Sequence, residues 1–187
     1  MTTRVLCIVV CGAGPADRVG RLVEDARRER WTVRIVATPT ATGFIDAQAL
    51  AVQCGAAVRS DYRASAETGP RASAADAMIV APATYNSINK LATGINDTYA
   101  LNVVSEAIGR RRPVAIMPFV NAALAARTPF TEAVRSLRSE GVHIVYGPGQ
   151  WEPHQPGEGG SRLDGFPWSL ALSAVTELGR TVKPTKS

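Results

Sequence analysis

Three short stretches of the chain bring together residues suited to holding an anion. Gly12-Ala13-Gly14-Pro15 offers backbone amides with little side chain over them. Thr38-Pro39-Thr40-Ala41-Thr42-Gly43 carries three hydroxyls, and Pro82-Ala83-Thr84-Tyr85-Asn86-Ser87 adds the aliphatic hydroxyls of Thr84 and Ser87 with the Asn86 carboxamide. Hydroxyl donors beside the unpaired amides of helix N-termini suit a phosphate, because those amides and the helix dipole both favour negative charge. A phosphorylated planar cofactor fits such a donor set. Hydroxyl residues also serve as plain turn and cap residues at strand ends, and spacing alone leaves both readings open. Gly12-Ala13-Gly14 lacks the third glycine of the dinucleotide fingerprint, and no G-x-x-x-x-G-K-[ST] run occurs. Nucleotide hydrolysis and a standard dinucleotide fold are both disfavoured.

The elements that must deliver these stretches follow from apolar patterning. Residues 4–11 form a β-branched, apolar run that reads as a first strand, and 31–37 as a second. The stretch Ala77-Met78-Ile79-Val80-Ala81 is apolar without alternation and stops at Pro82, which describes a buried strand ending in a polar loop. Residues 113–117 and 142–146 supply strands four and five. Between them, 16–30 places Val19, Leu22, Val23 and Ala26 at helical spacing, and further helices are expected over 44–53, 87–92, 99–108, 131–140 and 169–182. Asn96-Asp97-Thr98 reads as the cap of the 99–108 helix. Residues 56–71 read as a loop with one short strand. The Gly- and Pro-rich 147–165 reads as a long loop or flap, and 183–187 as a loose tail. Strands alternating with helices imply right-handed βαβ units and a three-layer, doubly wound α/β sheet. In such a sheet ligands sit beyond the carboxyl ends of the strands, where all three candidate stretches fall.

At 187 residues, 45% hydrophobic and 20% charged, the chain has the composition of one ordinary globular domain spanning 1–187. No apolar run reaches the ~20 residues of a membrane span, and the first residues lack a secretory pattern. A cytoplasmic protein is expected, with no membrane partner. Cys7, Cys11 and Cys54 have no metal-binding spacing, so no metal is expected, and the first two read as core thiols. The net charge of +5 is dispersed. Its densest clusters, Arg27-Arg28 with Arg30 and Arg110-Arg111-Arg112, read as solvated helix positions rather than a nucleic-acid patch.

Pro82-Ala83-Thr84-Tyr85-Asn86-Ser87 resembles P-x-S-x-N-T, the flavin motif of the homo-oligomeric flavin-containing cysteine decarboxylases, with the two hydroxyl residues exchanged in type. Phosphopantothenoylcysteine decarboxylases, the peptidyl-cysteine decarboxylases of lanthipeptide biosynthesis and flavin prenyltransferases are relatives within that group. The pattern continues with Lys90-Leu91-Ala92-Thr93-Gly94-Ile95-Asn96-Asp97, and Thr38-x-Thr40-Ala41 with Phe44-Ile45 is similar to the family's second loop. The resemblance covers residues 4–146. It implies a single-domain, flavodoxin-like (Rossmann-like) fold and flavin mononucleotide (FMN) as cofactor. It further implies a homo-oligomer, a trimer or an assembly of trimers, with flavin at the subunit interface. Carried over by position, Gly12, Ala13, Thr38 and Thr40 would meet the phosphate, while Pro82, Ala83, Thr84, Asn86 and Ser87 form the loop that approaches the flavin.

The family's substrate motif, P-x-M-N-x-x-M-W, stands here as Pro118-Phe119-Val120-Asn121-Ala122-Ala123-Leu124-Ala125. The proline and asparagine are kept; both methionines and the tryptophan are not. Asn121 is therefore the candidate for holding a substrate carboxylate, although a helix cap would look the same. Where the family places a histidine before the Ala75-Asp76 that opens strand three, this chain has Glu67-Thr68-Gly69. Of its two histidines, His143 falls in strand five and reads as structural. His154 lies in the flap and is the candidate acid or base. The flap holds no cysteine, unlike that of phosphopantothenoylcysteine decarboxylases, which disfavours standard coenzyme A biosynthesis. The resemblance implies FMN-dependent oxidative decarboxylation of a cysteine-containing small molecule or peptide C-terminus. An FMN-dependent reductase with a changed substrate, or a non-catalytic flavin-binding subunit, are the alternatives.

Overall fold

The computed structural model describes residues 4–62 and 72–181. Five parallel strands, β1 (Val5–Val10), β2 (Thr32–Ala37), β3 (Ala77–Ala83), β4 (Val114–Pro118) and β5 (His143–Ile144), lie in the order β2-β1-β3-β4-β5. This is a doubly wound sheet of flavodoxin-like order, and the direction of winding reverses between β1 and β3. The apolar run of β1 shows why helices cover both faces. Leu6, Ile8 and Val10 enter one buried cluster with Leu22, Trp31, Trp168 and Val175. Cys7, Val9 and Cys11 enter the other, with Met78, Leu101, Val104, Phe130 and Leu137. A strand buried on both faces needs apolar residues at every position, so alternation disappears. Burial also pushes the Cys7 thiol up to about 12, as the core reading of that cysteine requires.

Helices α1 (Gly20–Arg28) and α7 (Trp168–Thr181) pack on the first face, while α3 (Tyr85–Ala92), α4 (Tyr99–Gly109) and α6 (Thr128–Ser139) pack on the second. α2 (Ala47–Cys54) follows β2, capped by Asp46 and ended by Gly55 at φ 66°, a left-handed stop that glycine adopts without strain.

Several boundaries differ from the sequence reading. The helix expected over 16–30 is a 3-10 turn at Gly14–Arg18 followed by α1, because Pro15 starts a separate turn. The helix expected at 44 begins only after Asp46, with Phe44 left exposed. α3 starts at Tyr85, so Asn86 belongs to its first turn rather than to a loop. The expected 131–140 helix starts at Thr128, and a four-residue helix, α5 (Ala122–Ala125), precedes it. Of the short strand expected within 56–71, the described residues show a bridge between Arg59 and Val36. Residues 63–71, including the Glu67-Thr68-Gly69 position, and the tail at 183–187 lie outside the described residues. The long loop after β5 is packed: Trp151 and Phe166 are buried in the first cluster beside Trp168, and Gly159–Arg162 forms a 3-10 turn. No helix among the described residues is long and apolar enough to cross a membrane.

Candidate cofactor site

The carboxyl ends of β1, β2 and β3 are held level by short bonds between their loops. Thr38 N donates to Val10 O at 2.9 Å and Cys11 N to Pro82 O at 3.1 Å. A cleft of about 300 Å³ opens beyond them. Gly12, Thr38 and Thr40 form one wall, and Thr84, Asn86 and Ser87 form another. Six of the nine residues expected from sequence to touch a cofactor thus share one cavity.

Each wall has its own local cause. Thr38 caps the 3-10 turn Pro39–Gly43, its Oγ1 accepting from Ala41 N at 3.3 Å. That turn presses onto the β1 loop so closely that a Cβ on Gly12 would lie 2.7 Å from Thr40 Cγ2, a clash only glycine avoids. Thr84 caps α3, accepting from Ser87 N at 3.1 Å, and its Oγ1 lies 2.8 Å from Ser87 Oγ. The Thr40 hydroxyl and the Asn86 carboxamide make no hydrogen bond among the described residues. Ser87 N is taken by Thr84 Oγ1 and Ile88 N by Thr84 O, which leaves the Tyr85 and Asn86 amides at the start of α3 without a partner among the described residues. The cleft therefore presents unused donors at a helix N-terminus, the chemistry an anionic ligand needs.

Ala13, Pro82 and Ala83 brace the cleft from behind. Ala13 N donates to Cys11 O at 2.8 Å, and the Pro82 and Ala83 carbonyls accept from Cys11 N and Phe119 N. Beneath the floor, Cys11 is wholly buried; burial raises its pKa, partly offset by a hydrogen bond with Ser87. Four lining residues were not among the candidate site residues: Pro39, beside Thr38, and Lys90, Thr98 and Leu101, from α3 and the start of α4. The i, i+4 spacing of Asn86 and Lys90 is a signal that could have found the lysine, since it puts both on one helix face.

Asn121 and His154 do not line this cleft; they meet each other instead. The two form an isolated bridge, with Ala122 N donating to His154 O at 2.7 Å. Asn121 caps α5, its Oδ1 accepting from Leu124 N at 2.9 Å, which leaves its Nδ2 without a partner among the described residues. The His154 ring lies 4.7 Å from that of Phe119, and its Nδ1 is buried with no hydrogen bond among the described residues. Burial, and secondarily the Arg162 charge, lower the His154 pKa below its usual value, against an opposing pull from Glu158. The loop carrying it is anchored by Leu163, which lies where a Gly14 side chain would be, and by Asp164, 3.1 Å from Arg18 and 3.5 Å from Arg21. His143 pairs with Ala115 in the β4–β5 ladder. Among the described residues no group of three His, Cys, Asp or Glu side chains is placed to hold a metal ion.

The fold and this strand-end cleft define a class. Residues 1–160 match the Flavoprotein family model, and the chain belongs to that family. The structure of the FMN-dependent cysteine decarboxylase SpaF superposes with a TM-score of 0.69 at 25% identity, over 92% of this chain and 97% of SpaF. The coenzyme A biosynthesis bifunctional protein CoaBC of Thermococcus kodakarensis is 26% identical over 144 residues, 75% of this chain and 36% of that protein. Dihydromethanopterin reductase (acceptor) of Methanosarcina mazei is 46% identical over 43 residues, 23% of this chain and 18% of the reductase. The chain thus spans only about a third or less of the length of these two curated relatives.

Proposed function

We propose that the chain binds FMN in the strand-end cleft and uses it for oxidative decarboxylation of a cysteine-containing substrate, a peptide C-terminus or a similar small molecule. The observation that carries this reading is the set of donors unused among the described residues, the Thr40 hydroxyl and the Asn86 carboxamide and amide, gathered where the sheet reverses its winding. SpaF, which matches over nearly its whole length, is an FMN-dependent cysteine decarboxylase. Gly12, Thr38 and Thr40 would hold the phosphate, and Thr84, Asn86 and Ser87 the flavin side, with Ala13, Pro82 and Ala83 fixing the loops behind them. The cleft is open on one side at about 300 Å³, the lower end of ligand-pocket volumes. A second copy of the chain, in a trimer, would complete the wall over the ring.

Bound FMN supplies a two-electron acceptor for the substrate thiol. The protein must then hold the carboxylate, take the thiol proton and exclude water. Asn121 Nδ2 is the unspent donor for the carboxylate. His154 is the proton acceptor, and the packed 147–165 loop keeps the surroundings dry. Coenzyme A biosynthesis itself is not carried over from the archaeal relative, because this loop holds no cysteine.

The purified protein, reconstituted with FMN, is expected to be yellow, and anaerobic addition of cysteine-ended peptides is expected to bleach it with release of carbon dioxide. Failure to bind FMN would overturn the reading at its root. One observation favours a second reading, a reductase: 46% identity with dihydromethanopterin reductase over 43 residues, beside the lost methionines and tryptophan of the substrate motif. Bleaching by a reduced nicotinamide, with none by peptides, would select it.

A pH profile tests His154. Because its pKa is lowered, the imidazole stays neutral, and able to accept a proton, to a pH below the usual 6.5. The acid limb of kcat/KM should therefore fall below pH 6.5. His154→Gln should remove that limb and lower the rate by about a hundredfold, the usual worth of a general base. A variant with wild-type rate and limb would make His154 a packing residue.

A further inference from the structure

Among the described residues the cleft has one ionic side chain: every other lining residue is a hydroxyl, an amide, glycine or apolar, and Lys90 carries the charge. It follows Asn86 by four residues on α3, so both project from the same helix face. Its ammonium is ion-paired with Asp97, in the connection before α4. Asp97 does not line the cavity, and its side chain is 49% exposed against 26% for Lys90. Lys90 therefore belongs to the cavity wall and its carboxylate partner does not. A pair this exposed contributes little to folding. An ammonium has three donor hydrogens, and the contact with Asp97 leaves the others unused among the described residues.

Resting on the reading that the cleft takes FMN, we propose that Lys90 is a specificity residue whose charge selects the phosphorylated flavin over riboflavin. The hydroxyls and amides of Gly12, Thr38 and Thr40 can hydrogen-bond a phosphate, but they are neutral. A helix N-terminus adds only about half a charge. Lysine supplies a full point charge without requiring bidentate geometry. A sphere of the cleft's volume is about 8 Å across, no more than the Debye length at physiological salt, so the charge is felt across the cavity and weakens as salt rises.

The test is a set of fluorescence-quenching titrations with FMN and with riboflavin, on the full chain and on Lys90→Gln, Lys90→Arg and Asp97→Asn, at low and high salt, with melting curves for each. Lys90→Gln is expected to weaken FMN about tenfold and riboflavin less than twofold. Lys90→Arg should restore the FMN preference. Raising salt should narrow that preference in the wild type and leave it unchanged in Lys90→Gln. Asp97→Asn breaks the same ion pair but keeps the cation, so it should keep the preference. If Asp97→Asn loses it as Lys90→Gln does, the pair is structural and the proposal fails. Equal weakening of both flavins by Lys90→Gln, or none, also overturns it while leaving the FMN reading intact. A wild-type chain that binds neither flavin overturns both.

Discussion

Gly12→Ala is expected to lose flavin binding by at least about a hundredfold, near 2.8 kcal/mol at 1.4 kcal/mol per decade. The added Cβ would lie 2.7 Å from Thr40 Cγ2, 3.1 Å from Thr40 Cβ and 3.2 Å from the Thr40 backbone carbon. A methyl can rotate away; a Cβ and a backbone atom cannot. The 38–43 turn must therefore shift, although the Thr38 N to Val10 O bond ties its first residue to β1. Any such shift moves the Thr40 hydroxyl, a donor left free in the cleft. Overpacking of this kind also costs about 1–3 kcal/mol of stability. Gly12 has no positive φ, so strain in the alanine backbone does not enter. Thr40→Ser keeps the hydroxyl and deletes the nearest clashing atom. Added to Gly12→Ala, it should recover part of both losses, a coupling that a double-mutant cycle reads directly. Flavin content of the purified variants and titrated Kd values decide the matter. If Gly12→Ala retains a full complement of FMN, the cleft is not the flavin site.

What could be read from the chain, and what could not, follows from how local each signal is. The apolar run of β1 announced burial on both faces, and the structure sends its alternate residues into two clusters. Thr98 was legible as a cap because a helical pattern starts immediately after it, and it accepts from Leu101 N as expected. Thr84, Asn86 and Ser87 were legible as a polar group, but the helix was read to start at Ser87, so Thr84 was not legible as its cap nor Asn86 as part of its first turn. Serine, threonine and asparagine are equally at home in loops and at helix starts. The glycine and proline content of 147–165 suggested a free flap and concealed the burial of Trp151 and Phe166, which depends on α7 arriving from later in the chain. Lys90 was the most hidden, since it was read only as part of the pattern after the flavin motif and given no role. Its place in the cleft depends on α4 and the β2 turn closing around it. Short-range chemistry was therefore legible, and convergence between distant elements was not.

Asn121 tests that boundary most sharply, because it satisfies the cap reading and the binding reading with different atoms. Its Oδ1 accepts from Leu124 N at 2.9 Å, while Nδ2 stays free. Asparagine and aspartate are nearly equal as N-caps. Asn121→Asp should thus preserve α5, its bridge to His154 and the melting temperature, and FMN affinity should stay within about twofold. What it removes is the donor, and what it adds is a negative charge where the substrate carboxylate would sit. A hydrogen bond to a charged group is worth about 1.5–3 kcal/mol, and opposing like charges cost more again. Decarboxylation of cysteine-ended peptides should therefore fall about a thousandfold. Asn121→Ala loses the cap as well and should also lower stability by about 0.5–2 kcal/mol. If Asn121→Asp turns over normally while Asn121→Ala melts early, Asn121 is a cap and nothing more. Under the reductase reading, Asn121→Asp should leave nicotinamide oxidation unchanged, because no substrate carboxylate then needs the Nδ2 donor. The same variant therefore separates both the two roles of the residue and the two reactions of the flavin.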